Sequence, residues 1–257
     1  MMVSQSNGQQ ETSGEGHVGN ISSSTSDFKR LLTTEARFAP SPEVLATLAV
    51  KDYQALYDKA SRDLEGFWEE IAQDFTWVKS WDAVLEGQAP NARWFVGGQL
   101  NITTNCLDRH AMGKRADKTA LLWVGENGEE RAYSFRELLE FTCQIANGLL
   151  SLGVKKGDRV IIYLPLTPEG IATMLACARI GAIHSVVYAG LGSSALRARI
   201  EDAQARIVVT ADVGYRRGKA IPLKTIVDEA VQGLAQVEKV VVWRRATPQF
   251  HWMPTAR

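Results

Sequence analysis

Four short runs, RVIIYLP (159–165), AIHSVVY (182–188), ARIVVTA (205–211) and KVVVW (239–243), are almost continuously apolar and rich in β-branched residues. A strand with one wet face alternates apolar and polar side chains, whereas an unbroken apolar run suits a strand covered on both faces. Between the runs lie segments long enough for helices. Ser134 and Gly153 bracket one over about 135–152, and Pro168 and Gly181 bracket a second. Two more are expected over about 193–204 and 222–234. Strands that alternate with helices in this way specify an α/β fold, a mostly parallel sheet flanked by helices. Ligands of such sheets bind outside the carboxyl ends of the strands.

Upstream the pattern differs. Residues 1–26 are Ser, Gly, Gln and Glu with few large apolar side chains, too few to offset the entropy of ordering, and are expected to form a disordered tail. From Pro42 to about Trp81 apolar residues recur at helical spacing (Val44, Leu45, Leu48; Tyr53, Leu56, Tyr57; Leu64, Phe67, Trp68, Ile71), which predicts a helical cap. RWFVGGQLNITTNCLDRH (93–110) has a Gly-Gly break and little periodicity, so it reads as an irregular connection. Residues 27–110 therefore form one region and 111–257 the α/β body. LLWV, ENGEE and RAYSF read as a β-hairpin at the start of that body, with Asn127-Gly128 supplying positive φ angles.

Lys plus Arg (29) equals Asp plus Glu (29), so no overall field gathers nucleic acid or an anionic membrane, and anion recognition must be local. Cys106, Cys143 and Cys177 are odd in number and lack CxxC spacing, which argues against a disulfide framework or zinc site and for a reducing, cytoplasmic setting. No run approaches the roughly 20 apolar residues of a membrane span.

Three stretches look like sites. GYRRGKAIPLK (214–224) sets Arg216, Arg217 and Lys219 around Gly218 directly after an apolar run. It is one residue short of a P-loop and has Ala220 where a hydroxyl would hold Mg²⁺. Two readings stay open: a phosphate-monoester site built from guanidinium and ammonium donors, and a solvated basic loop. GLGSSA (190–195), with Asp212 about 20 residues on, has the form of a dinucleotide-binding turn but follows the second strand rather than the first. In NCLDRH (105–110), Cys106, Asp108 and His110 lack an evident fourth metal ligand, so Asp108 is expected to cap a helix and Arg109 to pair locally. Phe67, Trp68, Phe75, Trp77 and Trp81 read as packing surface and His184 as a core histidine.

FWEEIAQDFTWVKSWDAVL, RWFVGGQLNITTNCLDRH, YLPLTPEGIATMLACARIGAIHSVVYAG, RIEDAQARIVVTADVGYRRGKAIPLK and VVVWRR together resemble the amino-terminal portion of AMP-forming acetyl-CoA synthetases, from about residue 38 onward. YSFREL and ARIGAIHSVVY are similar to the first two core motifs of the wider adenylate-forming superfamily. The resemblance implies a ligase that joins acetate to ATP as acetyl-AMP, releasing pyrophosphate, and then transfers acetyl to the CoA thiol. It implies that Arg216, Arg217, Gly218 and Lys219 hold the 3′-phosphate of CoA, and that Tyr188, Ala189, Gly190 and Ile221 line its adenine. Ala189, Leu191-Gly192 and Lys219 replace a Gly, a Phe-Ser and an Arg of the family pattern.

The Ser/Thr/Gly phosphate loop, the adenine segment and the adenylation lysine of that family find no counterpart, so the resemblance implies about the first two fifths of such an enzyme. ATP, Mg²⁺ and acetate sites would lie elsewhere, no catalytic residue or metal ligand is assigned, and the piece alone would be inactive. The expected partners are the small molecules CoA, acetate and ATP, with self-association through exposed strand edges. Rival readings are a short-chain acyl-CoA synthetase for propionate or another acid, a noncatalytic nucleotide-binding module, and an NAD-dependent oxidoreductase using GLGSSA.

Overall fold

The computed structural model describes residues 39–245; the expected tail over 1–26 lies outside them. Two compact units are distinguished, one up to Asp58 and one from Lys59. In the first, α1 (Pro42–Thr47) starts at Ser41, whose side chain accepts the Val44 N–H, with proline in the first turn as its fixed φ favours. The next helix, α2 (Tyr53–Arg62), begins in the first unit and ends in the second.

The second unit includes α3 (Leu64–Gln73), capped by Asp63. Helix stops there rather than near Trp81. Trp77, Trp81 and Phe95 pack ring against ring with centroids 5.0–5.5 Å apart, a cluster that gathers residues from two segments instead of one helical face. β1 (Ala83–Glu86) and β2 (Arg93–Val96) pair antiparallel, so part of the expected irregular connection is strand. A π-helical turn (Thr104–Asp108) and α4 (Arg109–Ala111) follow.

β3 (Thr119–Val124) and β4 (Glu130–Ser134) form the expected hairpin. Its connection, residues 125–129, is closed by Gly125 N–H to Glu129 O, so only Gly128 needs positive φ (+80°) and Asn127 does not. Ser134 then opens α5 (Phe135–Ser151) with a reciprocal capping box to Glu137.

The α/β body follows in order: β5 (Arg159–Tyr163), α6 (Pro168–Ile180), β6 (Ile183–Val186), α7 (Ser193–Ala203), β7 (Ile207–Ala211), the small strands β8 (Gly214–Arg216) and β9 (Lys219–Ile221), α8 (Leu223–Val231) and β10 (Lys239–Trp243). The four long strands are all parallel, in the order β10-β7-β5-β6. α5 packs on α6, and α7 on α8. Right-handed crossovers place these two pairs on opposite faces of the sheet. Val160, Ile161, Ile162, Val208 and Val209 are at most 1% exposed, each contributing on the order of 1.5–3 kcal/mol of burial. His184, expected in the core, is only half-buried because β6 is an edge strand.

The NCLDRH segment fastens this body instead of capping a helix. Arg179 of α6 grips Asp108 bidentately at 2.7 and 2.9 Å, and Arg109 donates to the distant Asp74 carbonyl at 2.7 Å as well as to its local partner, the Asn105 side-chain oxygen, at 3.5 Å. At the amino ends of the strands Arg206 bridges Asp158 and Glu238. No helix among the described residues is long and apolar enough to cross a membrane.

Two outcomes are expected. Glu238 is held below the usual carboxylate range chiefly by Arg206, and Asp158 chiefly by the Lys155 amide with help from Arg206. Folded pKa values below the unfolded ones stabilise above the ordinary carboxylate range, near pH 4, and that stability fades as pH falls through it. Arg206→Ala should therefore flatten the acid limb of stability against pH, measured by denaturant midpoints, through Glu238 more than Asp158. Tyr163→Phe, which removes a hydroxyl donating to the Leu191 carbonyl at 2.5 Å, should cost about 1 kcal/mol and lower the thermal midpoint by roughly 2–4 °C.

Candidate functional site

Past the end of β7 the chain keeps Asp212 and Val213 buried and then doubles back as the β8–β9 hairpin. Arg217 and Gly218 occupy its two turn positions at φ +51° and +70°. Positive φ at both positions belongs to a type I′ turn, whose twist matches that of the flanking strands. The cationic run expected as a loop is therefore a registered hairpin, with Arg216 opposite Lys219 and Tyr215 opposite Ala220.

Side chains alternate along a strand, so Tyr215 and Arg216 leave on opposite faces. The Arg216 guanidinium lies 5.6 Å from the ring of Tyr188, just past β6. Tyr215 meets the guanidinium of Arg245, just past β10, at 5.5 Å. At the base, a Cβ on Gly214 would sit 3.1 Å from Leu223 Cδ1 and 3.4 Å from Pro165 Cγ, which lies past β5. The hairpin thus touches residues from the carboxyl ends of β5, β6, β7 and β10.

Each neighbour is itself fixed. A Cβ on Gly190 would fall 2.4 Å from the Tyr188 ring, so the ring lies over a backbone that only glycine leaves bare. Tyr163, its phenol pushed up by burial, pins the next carbonyl, Leu191. The buried Asp212 carboxylate accepts the N–H groups of Val213 and Arg245, both at 2.8 Å, stitching the ends of β7 and β10.

The expected site residues divide by role. Tyr188, Arg216, Arg217, Gly218 and Lys219 are exposed on one surface, whereas Ala189 and Ile221 are half-buried and pack against the core. Among the described residues Arg216, Arg217 and Lys219 make no ion pair, in contrast to Arg131, Arg179 and Arg206. The Gly218 N–H donates to the Glu126 carboxylate at 3.0 Å. Unpaired cations beside a ring and a bare glycine can bind a flat base and a phosphate together. They offer no nucleophile with an adjacent base. A cavity of about 450 Å³, lined by Val231, Leu234, Val237 and Glu238 among others, lies at the opposite, amino end of β10.

The other motifs fall away on geometry. GLGSSA opens α7, but β5 stands between β6 and the strand carrying Asp212, so the acid cannot face a dinucleotide on that turn as the fold requires. Asp212 is engaged with backbone amides instead. Cys106 approaches the Thr103 carbonyl and His110 packs on Phe135, and among the described residues no group of His, Cys, Asp or Glu is placed to hold a metal. Burial pushes the Cys177 thiol up to about 12, which makes it inert.

Residues 107–256 match the family described as AMP-binding enzyme. The chain belongs to that family. Residues 53–106 match the acetyl-coenzyme A synthetase N-terminus. Acetyl-coenzyme A synthetase of Deinococcus radiodurans is 47% identical over 220 residues, covering 85% of this chain and 34% of that protein. The Thiobacillus denitrificans enzyme of the same name is 48% identical over 227 residues, with the same coverage. The chain therefore spans about a third of the length of the curated relatives it matches. Among solved structures, an acetoacetyl-CoA synthetase from Streptomyces lividans superposes with a TM-score of 0.71 at 28% identity, covering 79% of this chain and 32% of that one.

Arg245, Tyr215, Tyr163 and Glu126 were not singled out from sequence. Arg245 had a usable signal, since it follows an apolar run at its carboxyl end, where this family of sheets places its ligands. Glu126 had none, because it reaches the turn only through the fold. The turn itself makes a prediction: Arg217→Val, a β-branched residue forced to positive φ, should destabilise by about 1–2 kcal/mol, whereas Arg217→Gly should leave stability equal or higher. Denaturant unfolding of both variants checks it.

Proposed function

We propose that this chain forms the amino-terminal part of an AMP-forming acetate–CoA ligase and carries one wall of its CoA-nucleotide site. The observation that carries the reading is the convergence of Arg216 on Tyr188, which sets unpaired cations beside an aromatic ring at the carboxyl end of the sheet. Identity of 47–48% to acetyl-coenzyme A synthetases supports acetate as the acid. The family matches meet between residues 106 and 107, which supports a cap region over 27–110 and an AMP-binding part over 111–257.

In the proposed reaction an acetate oxygen attacks the α-phosphorus of ATP, and pyrophosphate leaves to give acetyl-AMP. The CoA thiolate then attacks the acetyl carbonyl, and AMP departs with the bonding electrons. This chain's contribution is to the second substrate. Arg216, Arg217 and Lys219 neutralise the 3′-phosphate while the Gly218 backbone lets it approach; Tyr188 and Gly190 face the adenine, with Ala189 and Ile221 supporting them from the core. Arg gives fork-shaped donors and Lys a mobile point charge, so Arg216 is the stronger determinant. ATP and Mg²⁺ are assigned to residues outside this set, and no step attributed to the chain passes through a metal.

Titration of the purified protein with CoA and 3′-dephospho-CoA tests the reading. CoA should bind roughly tenfold or more tightly, about 1.4 kcal/mol or more, and Arg216→Ala should erase the difference. Equal affinities unaffected by Arg216→Ala would overturn it.

A further inference from the structure

The backbone amides at the two turn positions of a type I′ hairpin point away from the ladder, so they remain open to an external acceptor. Here the Gly218 amide is taken by the Glu126 carboxylate, contributed from residues 125–129, which join β3 to β4, 92 positions earlier in the chain. The contact is specific to the backbone: Glu126 makes no ion pair with Arg216, Arg217 or Lys219, although it stands beside their turn. A carboxylate oxygen and a phosphate oxygen ask the same of an N–H donor, namely linear approach at about 2.7–3.0 Å to a negative acceptor. Nothing else crowds the tip, because a Cβ on Gly218 would meet no atom within 4 Å.

We propose that the Glu126 carboxylate occupies the anion position at the tip of the cationic hairpin, competing with a ligand phosphate and so setting how sharply the hairpin prefers a phosphorylated nucleotide. The inference rests on the CoA-nucleotide reading and adds a residue that opposes binding to those that favour it. To enter, a 3′-phosphate must displace the carboxylate from the Gly218 amide or sit beside it against like charge. An unphosphorylated ribose does neither. Glu126 therefore penalises the phosphorylated ligand selectively, unlike a group whose role is only to hold the turn in shape, whose loss would weaken both ligands alike.

The test titrates wild type, Glu126→Gln and Arg216→Ala with CoA and with 3′-dephospho-CoA at one fixed, low ionic strength, with Glu126→Ala as a second removal of the charge. Glu126→Gln and Glu126→Ala should raise CoA affinity by about threefold, the scale of one exposed charge interaction, and leave dephospho-CoA affinity unchanged. No change, or a parallel loss for both ligands, overturns the role of Glu126. The Arg216→Ala arm separates the two failures: if it lowers CoA affinity while the Glu126 variants change nothing, only this inference falls. If Arg216→Ala is without effect, the CoA reading and this inference fall together.

Discussion

Burial of β5 and β7 on both faces is the constraint from which the rest follows. Two central parallel strands with helices above and below leave no place for polar work along their length. Charge and hydrogen-bonding capacity are driven to the strand ends, and the two ends are used differently. At the amino ends Arg206 ties Asp158 to Glu238 in a closed ionic network. At the carboxyl ends the cations of the β8–β9 hairpin are left without carboxylate partners among the described residues. The same sheet thus satisfies its charges at one end and exposes them at the other.

The hairpin is held by unlike forces on its flanks. Two arginine–tyrosine contacts run in opposite senses, Arg216 of the hairpin on Tyr188 and Arg245 on Tyr215 of the hairpin, so the hairpin gives a cation on one flank and receives one on the other. Between them Asp212 accepts two backbone amides, which fixes where the chain leaves β7. Each contact is modest alone, and the arrangement depends on their coming from different strand ends. A chain with no net charge can in this way build a strongly cationic point without a cationic surface.

Much of this was legible in the sequence. The apolar runs located all four parallel strands, and Ser134, Pro168 and Gly181 located helix boundaries, because those signals are local: periodicity, a cap, a fixed φ. The cationic run was also visible, as was the segment before α7. What could not be read were relations among distant residues. Trp77 and Trp81 could be read as packing surface, but not Phe95 as the ring they pack on; Asp108 looked like a cap yet is claimed by Arg179, 71 positions away. GLGSSA looked like a dinucleotide turn until strand order placed β5 between it and Asp212. Glu126 left no local trace at all.

One mechanical consequence follows from the way the hairpin is mounted. Its root, at Val213 and Gly214, is clamped by buried side chains and by Asp212, while its summit at Gly218 is restrained by one exposed bond to a surface carboxylate. Restraint is therefore concentrated at the foot, and the element is mounted as a short cantilever whose aim is set by the core rather than by contacts at its head.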